Sequence, residues 1–402
     1  MKILMASILN FEKDINGVVV SANELMHELI AKDHRVELIT PYRDQTHKPT
    51  SWMMRMSGVM FKNSSWSLFF ILGIILKTWI IARKSWRLRD NVDVFHAHDC
   101  MAALAFMMLP LSGKKIVLHA HFNGSPWQEF VAAGYVPGDG WAYKCIIPVF
   151  KRIMRSERIQ ILAVSEHTKA VIHELLGPIE NEPTVLYPGI RAASHSPKIQ
   201  YTEKHIVNVG SLEKRKNQMQ VINLLAHLRQ MGLRPKISFI GPEDSHYKQQ
   251  MLEQVQAYGL QDDIRFHGQL DLDITREMIS GADLYLHTAT GESFGRVLVE
   301  AMSSGTPVMA YEYPALKEIL DGDQILEASK SLEEHARHIR DVLTDEKRLK
   351  SMQVSQYSRY LEQFTAGKMV GRYEQIIAKI QSNSRQNRAD LKRFNQAKLL
   401  SP

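Results

Sequence analysis

Short apolar runs alternate with helical patterns along the first half of this chain. Five runs have the length and aliphatic character of buried strands: residues 2–8, 35–40, 92–97, 115–119 and 159–163. After the first run, Leu25, Leu29 and Ile30 recur at helical spacing and predict a helix over residues 20–31. Regular alternation of strand and helix predicts a parallel sheet with helices on both faces.

A second alternating series follows the polar stretch 194–198, which we interpret as a linker. Its predicted strands are residues 205–209, 236–240, 264–266, 283–286 and 307–310. The fold class that this pattern predicts is α/β, with two doubly wound, Rossmann-like domains that face a cleft. Ligands of such sheets bind at the carboxyl ends of the strands, so we expect the active site in that cleft.

The two series divide the chain into four predicted segments. We place the two domains at residues 1–193 and 194–365. A C-terminal helix at 366–381 could pack back on the first domain, and residues 382–402 form a polar, basic tail. A length of 402 residues is too great for one ordinary core and agrees with two domains.

Composition narrows the class of protein and its partners. Hydrophobic residues make up 45% of the chain and charged residues 23%, as in soluble globular proteins. The formal net charge of +7 favours anionic partners such as nucleotide diphosphates or anionic lipid surfaces, and the lack of a nucleic-acid-binding signature argues against nucleic acid. The two cysteines, Cys100 and Cys145, suit neither a disulfide framework nor a zinc spacing, and the first residues lack a signal-peptide pattern. We therefore expect a cytoplasmic protein.

One region does not follow the alternating pattern. Residues 66–76 are apolar, Lys77 interrupts them, and residues 78–82 are again mostly apolar. This is shorter than the roughly 20 residues that span a bilayer. Two interpretations remain open: a packed helix of the first domain, or an interfacial helix that attaches the protein to the inner face of an anionic membrane. Neighbouring basic and apolar side chains keep the second one in play: Arg83, Lys84, Arg87, Arg89, Trp52, Met53, Met54 and Met56.

The segment 291–300 carries the strongest chemical signal. A loop should turn into a helix at Gly295, and small residues with a proline end that helix at 303–307. A helix start suits a phosphate, because its N–H groups and the positive end of the dipole point there. Glu300 would lie about 7–8 Å further along, a plausible reach from a diphosphate to ribose hydroxyls. Glu292, on the other side of the turn, could meet a sugar attached beyond the diphosphate.

Two further loops follow predicted strands. In residues 210–217 a glycine, Gly210, would let a diphosphate approach the backbone, and Lys216 and Arg215 offer charge-assisted hydrogen bonds. Gly17, which follows the first strand, could bring a backbone N–H to the same ligand.

Two His-Ala-His sequences also end predicted strands: His96 with His98, and His119 with His121. Alternate residues of a strand face the same side, so the two pairs could form a metal cluster, as in a metal-dependent hydrolase. That reading leaves the glutamate pair and the basic loop without a role. Hydrogen bonding or base chemistry beside an acceptor explains His98 and His121 with fewer assumptions.

With these residues assembled, the chain resembles the GT-B fold glycosyltransferases of retaining family 4 over most of its length. The family's Glu-X7-Glu motif is matched by Glu292 and Glu300. Softer matches are Gly268, Ser165, Tyr187 to Ile190, Asp14 to Val18 and Asp33 to Val36.

The resemblance implies a role for each matched position. Glu300 would hold the ribose hydroxyls, Glu292 the donor sugar, and Lys216 with Arg215 would neutralise the departing diphosphate. The backbone at Phe294, Gly295 and Arg296 would meet the sugar and the β-phosphate. His121 matches an acceptor-side histidine near the reacting carbon, with His98 beside it.

The implied activity is the transfer of a hexose or N-acetylhexosamine, with retention and without a metal or other cofactor. The donor would be a nucleotide-diphosphate sugar, UDP favoured and GDP next, bound by the second domain. The acceptor, a glycan or lipid-linked molecule in cell-surface polysaccharide or glycolipid synthesis, would bind the first domain.

Two departures from the family pattern bear on donor affinity. Ser211 stands where the family often has arginine, and residues 312–318, with Pro314-Ala315, stand where it often has a Gly-Gly loop. These departures leave open a non-catalytic relative that binds sugar nucleotides.

Overall fold

The computed structural model describes residues 1–11, 16–42, 67–111, 114–132, 141–192 and 201–399. The chain forms two compact units: unit 1 contains Met1–Gly189 and Met369–Pro402, and unit 2 contains Ile190–Lys368. The first boundary thus falls at residue 189 instead of 193, and the second at 368 instead of 365. Ile190 goes with unit 2 because its backbone exchanges hydrogen bonds with Phe364 and Ala366.

Some sequence interpretations lie outside the described residues: the linker 194–198, Asp14, Trp52, Met53, Met54 and Met56.

Unit 1 is built on a six-stranded parallel sheet of strand order β2-β1-β3-β4-β5-β6. Its strands are β1 (Lys2–Ala6), β2 (Arg35–Ile39), β3 (Val94–Ala97), β4 (Ile116–Ala120), β5 (Ile159–Ala163) and β6 (Thr184–Val185). Its helices, apart from a C-terminal one, are α1 (Gly17–Ala31), α2 (Ser67–Trp86), α3 (Cys100–Met107), α4 (Pro126–Ala132), α5 (Trp141–Met154) and α6 (Glu166–Leu176).

Unit 2 has the sheet order β12-β11-β10-β7-β8-β9, again parallel throughout its six strands. Its strands are β7 (His205–Val209), β8 (Lys236–Ile240), β9 (Ile264–Phe266), β10 (Leu284–His287), β11 (Val308–Tyr311) and β12 (Ile325–Leu326). Its helices are α7 (Met219–Gln230), α8 (Ser245–Ala257), α9 (Leu272–Gly281), α10 (Arg296–Ser303), α11 (Leu332–Thr344) and α12 (Glu346–Arg359). The two doubly wound units confirm the predicted α/β fold class.

The sheet of unit 1 is apolar on both faces, and helices cover both. On one face Leu4 and Phe95 pack with Phe106 of α3 in a large aliphatic and aromatic cluster. On the other face Ile3 and Met5 pack with α1 and with the C-terminal helix. Burial on both faces is why the strands are continuous apolar runs and not alternating patterns.

The C-terminal helix α13 spans Ala366–Leu399. Its Met369, Val370, Tyr373 and Ile377 are buried in the core of unit 1 beside α1. The expected end of this helix near residue 381 is wrong, because the backbone stays helical to Leu399. Residues 381–399 are rich in glutamine, arginine, lysine, leucine and alanine, all good helix formers, and no proline stops them.

The irregular apolar region contains helix α2, which shows two different faces. One face packs into unit 1, with Ile74, Thr78, Ile81 and Ser85 buried. The opposite face carries the apolar stripe, which we define as Leu68, Leu72, Ile75, Trp79 and Trp86, each about half exposed. Within the described residues, no helix is both long and apolar enough to cross a membrane.

Candidate active site

The strand order of unit 2 reverses between β7 and β10, which pair side by side. Chain connections leave the two strands in opposite directions, and this opens a crevice at their carboxyl ends where doubly wound folds bind ligands. The loop after β7 carries Lys216, and the loop after β10 carries Glu292. The two motifs that the sequence indicates separately therefore meet at one place.

The turn at Gly295 shapes the entry to helix α10. Gly295 has a left-handed backbone with φ of 93°, and a Cβ there would stand 2.6 Å from the Leu316 side chain. Only glycine suits that combination of conformation and close approach. Phe294 is buried edge-on against Phe364, so its backbone and not its ring is available to a ligand. The helix then begins at Arg296, where its positive dipole end suits an anion.

Glu292 lies in a tight cluster of charge. Its Oε1 contacts the Lys216 Nζ, and the His287 Nε2 lies 3.2 Å away. The Glu292 and Lys216 side chains are only 12% and 17% exposed. Burial alone would raise the Glu292 pKa, but Lys216 and His287 outweigh it and hold that pKa well below its usual range. Glu292 is therefore a carboxylate at neutral pH.

His287 ends strand β10 and lies beneath Glu292. Burial lowers its pKa, and the neighbouring Glu292 opposes that shift without removing it. The His287 Nδ1 is 3.4 Å from the hydroxyl of Tyr285, which in turn donates to the Val209 carbonyl 3.1 Å away. Tyr285 and His287, both in strand β10, thus form a chain of polar contacts that links the sheet to the Glu292 carboxylate.

Hydrogen bonds fasten the basic loop to the glutamate loop. Arg215 donates from Nη1 to the Gly291 carbonyl at 2.7 Å and pairs through Nη2 with Glu213 at 2.6 Å. The Thr288 hydroxyl donates to the Lys216 carbonyl at 3.0 Å. Arg215 thus holds the two loops together, and a phosphate would have to share its guanidinium.

Glu300 lies one turn into α10 and pairs with an arginine of the same helix. The Arg296 Nε donates to Glu300 Oε1 at 2.9 Å, with the two side chains only 10% and 15% exposed. The pair fixes the orientation of the Glu300 carboxylate, which a ribose could then approach.

The start of the basic loop contains two glycines that pack backbone to backbone. Gly210 has a φ of 154°, which side-chain-bearing residues rarely adopt, and a Cβ on Gly241 would stand 2.3 Å from the Gly210 carbonyl oxygen. Ser211, at the position where the resembled family often has arginine, accepts a hydrogen bond at its carbonyl from the Gln218 side chain at 2.8 Å. The start of the basic loop is therefore tightly packed.

The segment that replaces the Gly-Gly loop is also packed. Residues Pro314–Glu318 form a 3₁₀ helix whose Leu316 is buried against Gly295. The preceding Tyr313 has a raised pKa, chiefly through burial and further through the charge of Glu292. Tyr313 therefore lies within electrostatic range of Glu292, which together with Lys216 and His287 forms what we call the donor-side cluster.

In unit 1 the predicted site residues lie at strand ends of their own sheet. Gly17 is the first residue of α1, and no atom of the described residues lies within 4 Å of where its Cβ would be. Asn16 caps the helix by accepting a hydrogen bond from the Val19 N–H at 3.0 Å. His98 and His121 follow β3 and β4, with the His98 Nδ1 3.4 Å from the His121 Nε2. Asp99 binds the Ser7 hydroxyl and the Ile8 and Ala102 amides, so its role is structural.

Comparison with known proteins identifies the family. The Glycosyltransferase Family 4 model matches residues 15–193, and the Glycosyl transferases group 1 model matches residues 190–359. The chain belongs to the GT-B fold glycosyltransferases of family 4, as its motifs suggest. Membership in this family favours the glycosyltransferase hypothesis over the metal-dependent hydrolase hypothesis.

Two curated relatives and one solved structure are similar to this chain. N-acetyl-α-D-glucosaminyl L-malate synthase of Bacillus anthracis is 23% identical over 385 residues, 90% of this chain and 93% of the relative. α-Monoglucosyldiacylglycerol synthase of Streptococcus pneumoniae is 28% identical over 318 residues, 76% of this chain and 70% of the relative. The crystal structure of Anabaena HepE with UDP and glucose shares the fold at a TM-score of 0.69, with 17% identity over 94% of this chain and 100% of that one.

Two residues of the site escape the sequence analysis. His287 lies one residue beyond the predicted strand 283–286, but in the structure it is the last residue of strand β10. Tyr313 lies in a stretch noted only for its missing glycines. The signal for His287 was present: a polar ring at the end of an apolar strand, five residues before Glu292.

Proposed function

We propose that this protein is a retaining hexosyltransferase that uses a UDP-sugar and a glycan or lipid-linked acceptor. The observation that carries the proposal is the meeting of Glu292, Lys216 and His287 beside the Arg296–Glu300 pair at the strand-order reversal. Relatives whose names state glucosaminyl transfer to malate and glucosyl transfer to diacylglycerol, and a structural neighbour bound to UDP, support the donor and acceptor classes.

The charges of the cluster suit a nucleotide sugar. The diphosphate would lie at the start of α10, where the helix dipole and Lys216 balance its charge, so this step requires no metal. Glu300 would accept hydrogen bonds from the ribose, and Glu292 from the sugar hydroxyls. As the diphosphate enters, Lys216 would exchange part of its contact with Glu292 for a phosphate oxygen, and so the ammonium is positioned before the donor arrives.

The transfer itself exchanges one bond at the anomeric carbon. The bond from that carbon to the β-phosphate oxygen breaks, and a bond to the acceptor oxygen forms on the same face. The acceptor proton passes to the departing diphosphate, whose negative charge Lys216 and the helix dipole stabilise. Retention follows because attack and departure occur on one face of the sugar.

A transfer assay with nuclear magnetic resonance of the product tests this proposal. UDP-glucose, UDP-N-acetylglucosamine and the GDP and ADP analogues are offered with lipid and glycan acceptors. We expect turnover with one UDP-sugar, an axial linkage retained from the donor, and a loss of at least about 100-fold in Glu292→Gln. An inverted linkage in the product would contradict the retaining chemistry. Full activity in Glu292→Gln would show that the Glu292 carboxylate is not required for transfer. Nucleotide binding without any turnover would instead support the non-catalytic relative.

We also propose that unit 1 attaches to the cytoplasmic face of an anionic membrane through helix α2. At about 100° per residue, the members of the apolar stripe fall within an arc of about 60°. Such a stripe is unusual on a surface that faces only water. Both cysteines are free thiols, which agrees with a cytoplasmic location.

Basic side chains border the stripe. The Arg83 guanidinium lies 5.5 Å from the Trp79 ring and that of Arg89 4.2 Å from Trp86, while Arg87 is exposed. Tryptophan and arginine together favour the headgroup region of an anionic bilayer. This charge complementarity is why we choose a lipid surface over a second protein.

Co-sedimentation with vesicles tests the attachment. We expect binding to phosphatidylcholine vesicles that contain phosphatidylglycerol, weaker binding in high salt, and loss of binding in a Leu72→Ser, Trp79→Ser variant. Val354→Ser changes an equally exposed apolar residue on α12 and serves as the control. If the Leu72→Ser, Trp79→Ser variant still binds the vesicles, the lipid contact lies elsewhere on the protein. If the wild-type protein does not bind at low salt, the proposed membrane attachment is wrong.

A further inference from the structure

Four histidines gather at the carboxyl ends of two neighbouring strands of unit 1. Strands β3 and β4 pair in parallel with His96 opposite Val117, which brings His98 level with His119. Ring centroids of His96 and His98 are 4.5 Å apart, and those of His119 and His121 are 4.3 Å apart. The cluster therefore follows directly from the two His-Ala-His sequences and the strand register.

Most of this cluster is buried, and its polar atoms are unsatisfied. His96 is fully buried, and His98 and His119 are each 3% exposed. Among the described residues, no group makes a well-formed hydrogen bond to His96 Nε2 or to His98 Nε2. The His119 ring nitrogens also lack a well-formed hydrogen bond, although the Leu186 backbone interacts with that ring. Buried polar groups nearly always have partners, and several ring nitrogens without a well-formed hydrogen bond in one place point to a missing ligand.

The satisfied ring nitrogens show how the others are aimed. The Tyr373 hydroxyl lies 2.9 Å from His96 Nδ1, and the His121 ring lies against His98 Nδ1. Both contacts leave Nε2 as the unpartnered atom, an arrangement typical of metal-binding histidines oriented by an outer partner. Burial, reinforced by the neighbouring imidazoles, lowers the pKa of His96, His98 and His121, so these rings are neutral and have a lone pair to give.

We propose that His96, His98 and His119 bind a divalent metal ion of the zinc type. One ligating nitrogen of each lies within 4.8 Å of the others. Zinc–nitrogen bonds are about 2.0–2.1 Å, so modest rotations of the rings would complete the site. His121 is only partly buried and lies at the rim, where a further ligand could enter.

The type of ligand selects the metal. Imidazole suits zinc and its first-row neighbours, whereas magnesium and calcium need oxygen ligands. The nearest acidic residue in the sequence, Asp99, is already engaged by Ser7, Ile8 and Ala102. The site belongs to unit 1 alone and does not depend on the donor chemistry proposed for unit 2.

Metal titration of tag-free protein tests the proposal without any activity assay. After dialysis against a chelator, the apo-protein is titrated with Co²⁺ under visible absorption, and with Zn²⁺ in competition with a chromophoric chelator. We expect one equivalent per chain, visible Co²⁺ bands, and at least a tenfold loss of affinity in His119→Ala. His246→Ala, which removes an exposed histidine on α8, should bind as the wild type does.

Each result decides the proposal. Wild-type protein that takes up no Co²⁺ or Zn²⁺ overturns it, whatever the variants do. Uptake that survives in a folded His119→Ala places the metal elsewhere and also overturns it. If His119→Ala fails to fold, the conservative Tyr373→Phe replaces it: it removes only the hydroxyl beside His96, and a weaker Co²⁺ affinity is expected.

Discussion

The donor-side cluster of unit 2 and the histidine cluster of unit 1 bury polar groups in opposite ways. Glu292 and Lys216 form a buried ion pair in which each charge compensates the other, and under the proposed function a charged substrate would exchange partners with this pair. His96, His98 and His119 are neutral and leave nitrogens without partners. The paired burial fits the diphosphate site that we propose for unit 2, and the unpaired burial fits the metal site that we propose for unit 1.

Removing the ammonium of the donor-side cluster should have the largest effect. Lys216→Met leaves Glu292 buried without its cation and removes the charge that, in the proposed function, stabilises the leaving diphosphate. We expect transfer to fall by about 100- to 1,000-fold. The measurement is kcat/KM with the preferred donor. Lys214→Ala, on the exposed part of the same loop, is the matched control and should retain most activity. Equal losses in both variants would mean that only the loop's overall charge matters.

A smaller effect, on stability, should follow from a substitution at Gly295, in the turn that leads into helix α10. Gly295→Ala adds a Cβ 2.6 Å from Leu316 at a φ of 93°. We expect the free energy of unfolding to fall by about 1–3 kcal/mol, because the backbone is left-handed and the added atom must displace Leu316. Denaturant unfolding measures it. Gly371→Ala lies in helix α13 with nothing near its added Cβ, so it should be neutral or slightly stabilising. An unchanged stability in Gly295→Ala would contradict the close packing.

The histidine cluster and the donor-side cluster should affect stability over different ranges of acidic pH. Burial lowers the pKa of His119 to about 4. The unfolded chain then binds protons first as pH falls below about 6.5, so unit 1 loses stability between about pH 6.5 and pH 4. The Glu292 pKa is lowered too, but a carboxylate loses its contribution only below its unfolded value of about 4.3.

The measurement is unfolding of chelator-treated protein at pH 7 and pH 5, compared with His119→Gln. We expect the wild type to lose about 1–2 kcal/mol more than the variant over this range. Lys216→Met should lose the same stability between pH 7 and pH 5 as the wild type does, because it leaves the histidine cluster intact. A pH response equal in wild type and His119→Gln would contradict the lowered pKa of His119.

How far the sequence predicts this molecule depends on the range of each signal. Apolar runs and glycine stops are local, so the two sheets, the turn at Gly295 and helix α10 were predictable. The contact of Lys216 with Glu292 joins residues far apart in the chain, and it follows from the pairing of β7 with β10, which no local pattern specifies. The exposed face of α2 is likewise hidden in sequence, since a helix that is apolar all round does not reveal which side is covered.

Calorimetric titration of UDP tests most directly whether the strand-order reversal of unit 2 is the nucleotide site. Wild-type protein is compared with Glu300→Ala and with Glu333→Ala, whose carboxylate forms the same type of i,i+4 pair with Arg337 on an exposed surface. We expect UDP to bind the wild type and Glu333→Ala alike, and to bind Glu300→Ala at least about tenfold more weakly, because the ribose contact is lost. Equal affinity in all three proteins, or no UDP binding by the wild type, would contradict the account.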